Sequence, residues 1–481
     1  MPELSFRRRI AVLVICCMSL LIVGLDNTIV NVALPNIQRS LGASVSGLQW
    51  TIDAYTLVLA SLLMLSGSTA DRLGRRRVFQ TGLLVFTVGS LLCSVAPGLG
   101  WLVAFRMVQA VGGSMLNPVA MSIITNTFTD PAERARAIGV WGGVVGISMA
   151  AGPIVGGALV GSVGWRAIFW INIPIGLAAL ALTALFVPES KAPRPRRPDP
   201  VGQLLVIVAL ASLTYAIIEG PASGWSSPEI VGFFSLAVVA VAALLRYEPR
   251  RVDPLIDLRF FRSAPFAGAT VIAVSTFAAL GGYLFLNTLY LQNSRHYSAL
   301  RAGLLMLPVA AMTLVFAPLS GRIVGSRGPR LPLFVGGIAL TAAGLLLTGV
   351  TTGTGTDRLL LAYVVFGFGF AILNPPITNT AVAGMPRAQA GVAAAVASTS
   401  RQVGQSLGVA IAGSVLASGL RGAAHGASPP PSATAWGIIA GCGVLVFVLG
   451  LVTTGRWGRA TADRTADLFV SDRTPAGVGV P

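Results

Sequence analysis

Three ionisable residues stand inside otherwise apolar sequence. Asp26 lies in "GLDNTIVNVALP" (24–35), directly after the greasy run "IAVLVICCMSLLIV". Asp53 lies in "QWTIDAY" (49–55), and Arg106 in "WLVAFRMVQAVGGSM" (101–115), with Gln109 one helical turn on. At 1.5 Å per helical residue, Asp26 and Arg106 fall at similar depths, roughly 12 and 10 Å from one end of their segments. Asp53 falls at a comparable depth, so the three are expected to meet in one cluster. Low dielectric favours a neutral carboxyl and a neighbouring guanidinium favours the anion, a balance that suits reversible proton binding. The competing readings are a permanent Asp26–Arg106 ion pair, an Arg106 that snorkels to the interface, and an Asp53 that meets water.

The elements that must position these groups are membrane helices. The 481 residues are 54% hydrophobic and only 11% charged, with mean hydropathy +0.78. Apolar runs long enough to cross a bilayer recur along the chain. They are drawn at 10–35, 46–70, 78–96, 99–124, 134–160, 166–187, 200–219, 229–246, 265–292, 299–323, 331–351, 358–381, 388–418 and 433–455. That makes fourteen, in an order of six, two and six.

The basic residues test this count. With Arg7, Arg8 and Arg9 inside, only Arg39, Arg166, Arg295, Arg301, Arg358 and Arg421 fall in outer loops or at outer span ends, and only Arg106 and Arg401 lie deep within spans. The remainder of the 34 lie on the inner side. A miscounted helix would erase that bias, so both termini are expected inside. The net charge of +17 is thereby read as positive-inside loops, not as a nucleic-acid surface. The first apolar run reads as a span, not as a cleavable signal.

Catalysis finds no support. No nucleophile–His pairing, nucleotide-cradling loop or metal cluster is legible, and no cofactor is expected. Cys16, Cys17, Cys93 and Cys442 fall inside apolar runs without disulfide or metal spacing.

Three motifs carry mechanism instead. "GSTADRLGRRRV" places Gly67, Asp71, Arg72, Gly74, Arg75 and Arg76 in a very short inner loop, where Asp71 can pair with arginines and the glycines allow close approach and a tight turn. A weak copy, "GRIVGSRGPRL" (321–331), repeats Gly67, Gly74 and Arg76 as Gly321, Gly328 and Arg330, but has Gly325 in place of Asp71. Two six-span halves related in this way suit a two-bundle transporter with its substrate site between the halves. "GPIVGG", with Gly152, Pro153, Gly156 and Gly157, sits in a glycine-lined span that favours close helix packing and a bend.

These motifs, with "WRAIFWINIPIG" (165–176) and "TSRQVGQSLGVAIAG" (399–413), resemble the major facilitator superfamily, and specifically its fourteen-span drug:proton antiporters of the EmrB/QacA type. The resemblance covers roughly 10–455 and is densest in the first six spans. It implies an all-α membrane protein of the major facilitator fold: two six-helix bundles plus two additional central helices. It implies that the 67–77 loop latches the halves in one state, that the Arg106–Gln109 segment of the fourth helix takes part in proton transfer, and that the Gly-Pro-x-x-Gly-Gly signature marks exporters; with the depth argument, Asp26, Arg106 and Asp53 are the expected proton-coupling residues. The family's exporters of divalent cations tend to carry a carboxylate in the last six spans. Here only Asp357, at an outer boundary, is acidic in that half.

The expected organisation is a cytoplasmic N-terminus (1–9), a first bundle (10–187), a linker with the two extra helices (188–262), a second bundle (263–455) and a cytoplasmic, unstructured tail (456–481). Asn27, Asn31, Gln109, Tyr283, Asn287, Asn374 and Arg401 are the candidate polar lining of a substrate cavity. Arg401 either meets an anionic group or neutralises a helix end. The expected activity is proton-coupled export of drug-like or natural-product molecules by alternating access, in a bacterial cytoplasmic membrane, as a monomer. The expected partners are the small molecule, protons and the lipid bilayer, with no nucleic acid. The alternative is a symporter or facilitator importing a small metabolite.

Overall fold

The computed structural model describes residues 5–192, 197–251, 253–383, 390–424 and 431–471. Among these residues there is no β-strand, and fourteen helices are long and apolar enough to cross a membrane. The first six are α1 (Phe6–Leu41), α2 (Val45–Leu73), α3 (Arg75–Ser94), α4 (Leu99–Thr127), α5 (Ala132–Ser162) and α6 (Ala167–Phe186). A central pair follows, α7 (Pro200–Ser223) and α8 (Pro228–Arg250). The last six are α9 (Ala264–Ser294), α10 (Ala299–Arg327), α11 (Arg330–Leu347), α12 (Thr356–Val382), α13 (Val392–Leu420) and α14 (Ala433–Thr454). Several helices run beyond the apolar stretches, because hydropathy marks only the lipid-crossing centre while the hydrogen-bonded ladder continues into polar ends.

Local chemistry sets the boundaries. The side chains of Ser44, Asp130, Asp199, Ser227 and Ser298 each accept a backbone N–H at a helix start. Between α2 and α3 the chain reverses in one residue, Gly74, at φ +118°, and between α10 and α11 in two, Gly328 (φ +79°) and Pro329. A side chain at such φ is strained, so glycine is required there.

The even span number puts both chain ends on one side, here called the terminal face; the other is the far face. Helices α1–α6 form one bundle and α9–α14 the other. The bundles meet at the far face. Gln292 Nε2 donates to the Val32 carbonyl at 2.8 Å, Asn293 Nδ2 to Gln38 Oε1 at 3.2 Å, and Gln49 Nε2 to the Ala410 carbonyl at 2.7 Å. Helix α7 lies along the seam between α2 and α13. Trp50 Nε1 donates to Glu219 Oε1 at 2.8 Å, Gln203 Nε2 to the Ser61 carbonyl, and Ser414 Oγ to the Ile217 carbonyl. Helix α8 leans on α7 and presents Val238 and Val239 outward, as a lipid-facing helix does.

The polar segment after α14 differs from the unstructured tail expected from its composition. Residues Arg456–Ser471 form an amphipathic helix, α15. Its Phe469 packs against Phe260 with ring centroids 5.4 Å apart, beneath the Arg259 guanidinium, and Thr461 accepts the Ala264 N–H at 3.0 Å. One buried aromatic on an otherwise polar helix is enough to seat it. Residues 472–481 lie outside the described residues, as do 1–4 of the N-terminal segment.

Candidate functional site

Asp26 and Arg106 come together in the first bundle, both essentially excluded from solvent, as an ion pair between Arg106 Nη1 and Asp26 Oδ2. Asp26 Oδ1 accepts from Gln109 Nε2 at 2.9 Å and from Asn172 Nδ2 at 3.1 Å. Gln109 and Asn172 both also donate to Ser90 Oγ, at 2.7 and 3.3 Å. Arg106 spends its other donors on Gln109 Oε1 (2.7 Å) and the Thr51 carbonyl (3.2 Å), and its guanidinium lies 4.1 Å from the centre of the Tyr55 ring. The cluster thus ties α1, α2, α3, α4 and α6 together. Three side chains thus donate to the Asp26 carboxylate, from Arg106 and Gln109 of α4 and Asn172 of α6.

Gln109 therefore belongs to the ion-pair cluster, not to a cavity lining. Asn172, Ser90 and Tyr55 were not foreseen. The signal for Asn172 was present: a lone amide in the apolar "FWINIPIG", at the break in α6 between Ala167–Trp170 and Asn172–Phe186.

Asp53 does not join the cluster. It is fully buried on α2, accepts from Thr56 Oγ1 at 3.4 Å and faces Ser406 of α13, in the other bundle. The reason is angular. The Tyr55 ring faces Arg106, and two residues earlier, at roughly 100° per residue, the side chain of Asp53 points to the opposite side of the helix.

The second bundle holds an uncharged counterpart of the ion pair. Tyr363, at the same depth in α12 as Arg106 in α4, donates to Asn287 Oδ1 on α9. Tyr283 stacks on Phe366 with ring centroids 4.1 Å apart. Tyr283 and Asn287 are thus sealed inside the bundle and reach no cavity in this state. Asn31 is also buried, its amide bonded to the Asn27 carbonyl at 2.9 Å. Asn27, Asn374 and Arg401 remain half-buried.

At the terminal face Asp71 pairs with Arg75 at 2.8 Å, while Glu189, just after α6, organises the loop. Glu189 Oε1 accepts the Arg76 N–H at 3.1 Å, and its carboxylate occupies the space that a side chain at Gly74 would need. The Arg75 N–H donates to the Ser190 carbonyl and the Arg76 guanidinium to the Ala184 carbonyl, at 2.9 and 2.7 Å. Arg72 is exposed. Gly67 has only an ordinary contact, with Pro118, so its close-approach role is not realised in this state. The loop partners named here all lie in the first bundle and the chain leaving it. In the second copy, Gly321 and Gly325 have open space around them.

The "GPIVGG" glycines separate by face. Side chains at Gly152 and Gly156 would collide with Thr28 and Ile29 of α1. One at Gly157 would meet the Leu300 Cα and the Ala299 carbonyl of α10, and Gly303 of α10 lies against the Pro153 carbonyl. Helix α5 thus packs on its own bundle through one edge and on the other bundle through the next.

Comparison with known proteins agrees with this architecture. The tetracenomycin C resistance and export protein of Streptomyces glaucescens is 39% identical over 401 residues, covering 83% of this chain and 74% of that one. The multidrug resistance protein Stp of Mycobacterium tuberculosis is 37% identical over 414 residues, covering 86% and 77%. The crystal structure of the peptide transporter POT in complex with sulfate superposes with a TM-score of 0.67 at 16% identity, over 97% of each chain, which speaks to the fold alone. The sequence pattern described as Major Facilitator Superfamily matches residues 16–409. With that match over most of its length and two bundles of six helices, the chain belongs to the major facilitator superfamily of membrane transport proteins.

Proposed function

We propose that the protein exports drug-like or natural-product molecules across a bacterial cytoplasmic membrane in exchange for protons, by alternating access. The observation that carries this reading is the buried Asp26–Arg106 pair with its Gln109 and Asn172 donors. A titratable group held by three helices can convert proton binding into helix movement. The resistance and export functions named for the relatives support the direction of transport, as does the close-packed "GPIVGG" edge of α5.

The arginine bias places the terminal face in the cytoplasm. The closed far face then corresponds to a state sealed from the outside, with the 67–77 loop disengaged from the second bundle. Asp53, at the seam between bundles, is a second candidate proton carrier. The 67–77 loop acts as the latch of the opposite state, and a single chain is the working unit.

The test is Asp26→Asn, which keeps the size and removes the titration. In proteoliposomes carrying a pH gradient, accumulation of a fluorescent drug probe should cease, while probe exchange without a gradient continues. Gradient-driven accumulation that persists in the variant would move the proton carrier away from Asp26.

A further inference from the structure

Arg401, on α13, is the second arginine inside the spans, and its setting is the reverse of that of Arg106. It lies roughly 14 Å along its helix from Val392, well inside the bundle. One guanidinium nitrogen, Nη2, donates to Thr378 Oγ1 and to the Asn374 carbonyl at 3.4 Å, and the Phe277 ring centre lies 5.8 Å away. Its Nε is buried with no acceptor. Among the described residues no carboxylate pairs with it. In the second bundle the sequence holds one acidic residue, Asp357, in the first turn of α12 at the far face. Thr378 lies near the opposite end of that same helix, so Asp357 is about a membrane's thickness from Arg401.

An interior cation without a counter-ion is a demand for one. Arg401 is only half-buried, as are Asn374 and Thr378 on α12 beside it, so the group stays reachable from within the protein. The side-chain oxygen of the adjacent Gln402 is also buried without a partner. Thr378 and the Asn374 carbonyl fix the guanidinium through one nitrogen and leave Nε over, and a guanidinium fork matches a carboxylate in two-point contact. Thr378 stands one turn before the end of α12 at Val382, so the guanidinium also faces the carbonyl end of that helix, and a preference for acid over ester is what separates a ligand role from a helix-end role.

We propose that Arg401 is the specificity residue for an anionic group, a carboxylate or phenolate, on the exported molecule. The site prefers anionic amphiphiles over neutral and cationic ones. This rests on the export reading and names the substrate class for it.

The experiment measures equilibrium binding to the purified full-length protein in lipid nanodiscs, with no pH gradient. The probes are dansylaminoundecanoate and its methyl ester, which differ only in charge at the carboxyl end. The wild type should bind the carboxylate about tenfold more tightly than the ester. Arg401→Gln should abolish that preference and leave ester binding within about twofold, and Arg401→Lys should restore part of it because the charge returns without the fork. Asp26→Asn should keep the preference, so a failure of proton coupling would appear in transport and leave this readout intact. Replacing chloride with gluconate separates a small-ion site: carboxylate binding seen only without chloride supports the same anion pocket, open to both. Equal affinity of the wild type for acid and ester, or equal weakening of both probes by Arg401→Gln, would overturn the proposal. Should Arg401→Gln fail to fold, the wild-type acid-to-ester ratio and Arg401→Lys still decide it.

Discussion

Gly157→Ala is the smallest change that probes how the two bundles close. An ideal Cβ there would sit 2.6 Å from the Leu300 Cα and 2.7 Å from the Ala299 carbonyl oxygen. Both are backbone atoms of α10, so relief requires the helices to separate; a side chain cannot simply swing away. Overpacking of this kind costs about 1–3 kcal/mol. The cost falls on the state described here, closed at the far face, in which Gly157 of α5 lies against the backbone of α10. At about 1.4 kcal/mol per factor of ten, the balance should move roughly 5- to 150-fold toward opening at the far face. The assay is a distance measurement between spin labels at Gln38 and Asn293, whose side chains bond at 3.2 Å when that face is closed, in a background lacking the native cysteines. The expected result is a new long-distance population without probe. Gly161→Ala is the control, since nothing lies within 4 Å of a side chain at that position. An unchanged distance distribution in Gly157→Ala, or an equal shift in Gly161→Ala, would refute the packing argument.

Three further outcomes follow from the same coordinates. Gly74→Ala forces φ +118° on a residue with a Cβ and drives that Cβ into the Glu189 carboxylate, so thermal unfolding of the purified protein should show a loss of about 1–3 kcal/mol, partly recovered by Glu189→Ala. Asp53→Asn should lower gradient-driven accumulation while leaving gradient-free exchange, and unaltered accumulation at all pH values would remove Asp53 from proton coupling. Phe469→Ala empties a nearly buried aromatic site and should cost about 3–5 kcal/mol, read as faster proteolytic release of α15 with the spans intact.

The span count, the sidedness of the arginines and the meeting of Asp26 with Arg106 were legible in the sequence. Each depends on quantities that add along one dimension. Transfer of an apolar run into lipid depends on its own residues, loop charge depends on parity, and depth depends on a fixed rise per residue. Azimuth does not add in this way. Asp53 and Arg106 share a depth, yet Asp53 turns to α13 because packing rotates α2 so that Tyr55 faces Arg106. Asn172 reaches Asp26, and Ser90 reaches Asn172 and Gln109, because α3 and α6 close around α1 and α4, which no spacing along the chain announces. Tyr283 and Asn287 were grouped with Arg401 as polar lining. Tertiary packing stacks the first two into a sealed bundle and leaves Arg401 without a counter-ion. Which face is closed was likewise decided only by contacts between residues far apart in sequence, such as Gly157 against Leu300. A membrane helix declares its own insertion, but its rotation about its axis is set by the neighbours it packs on.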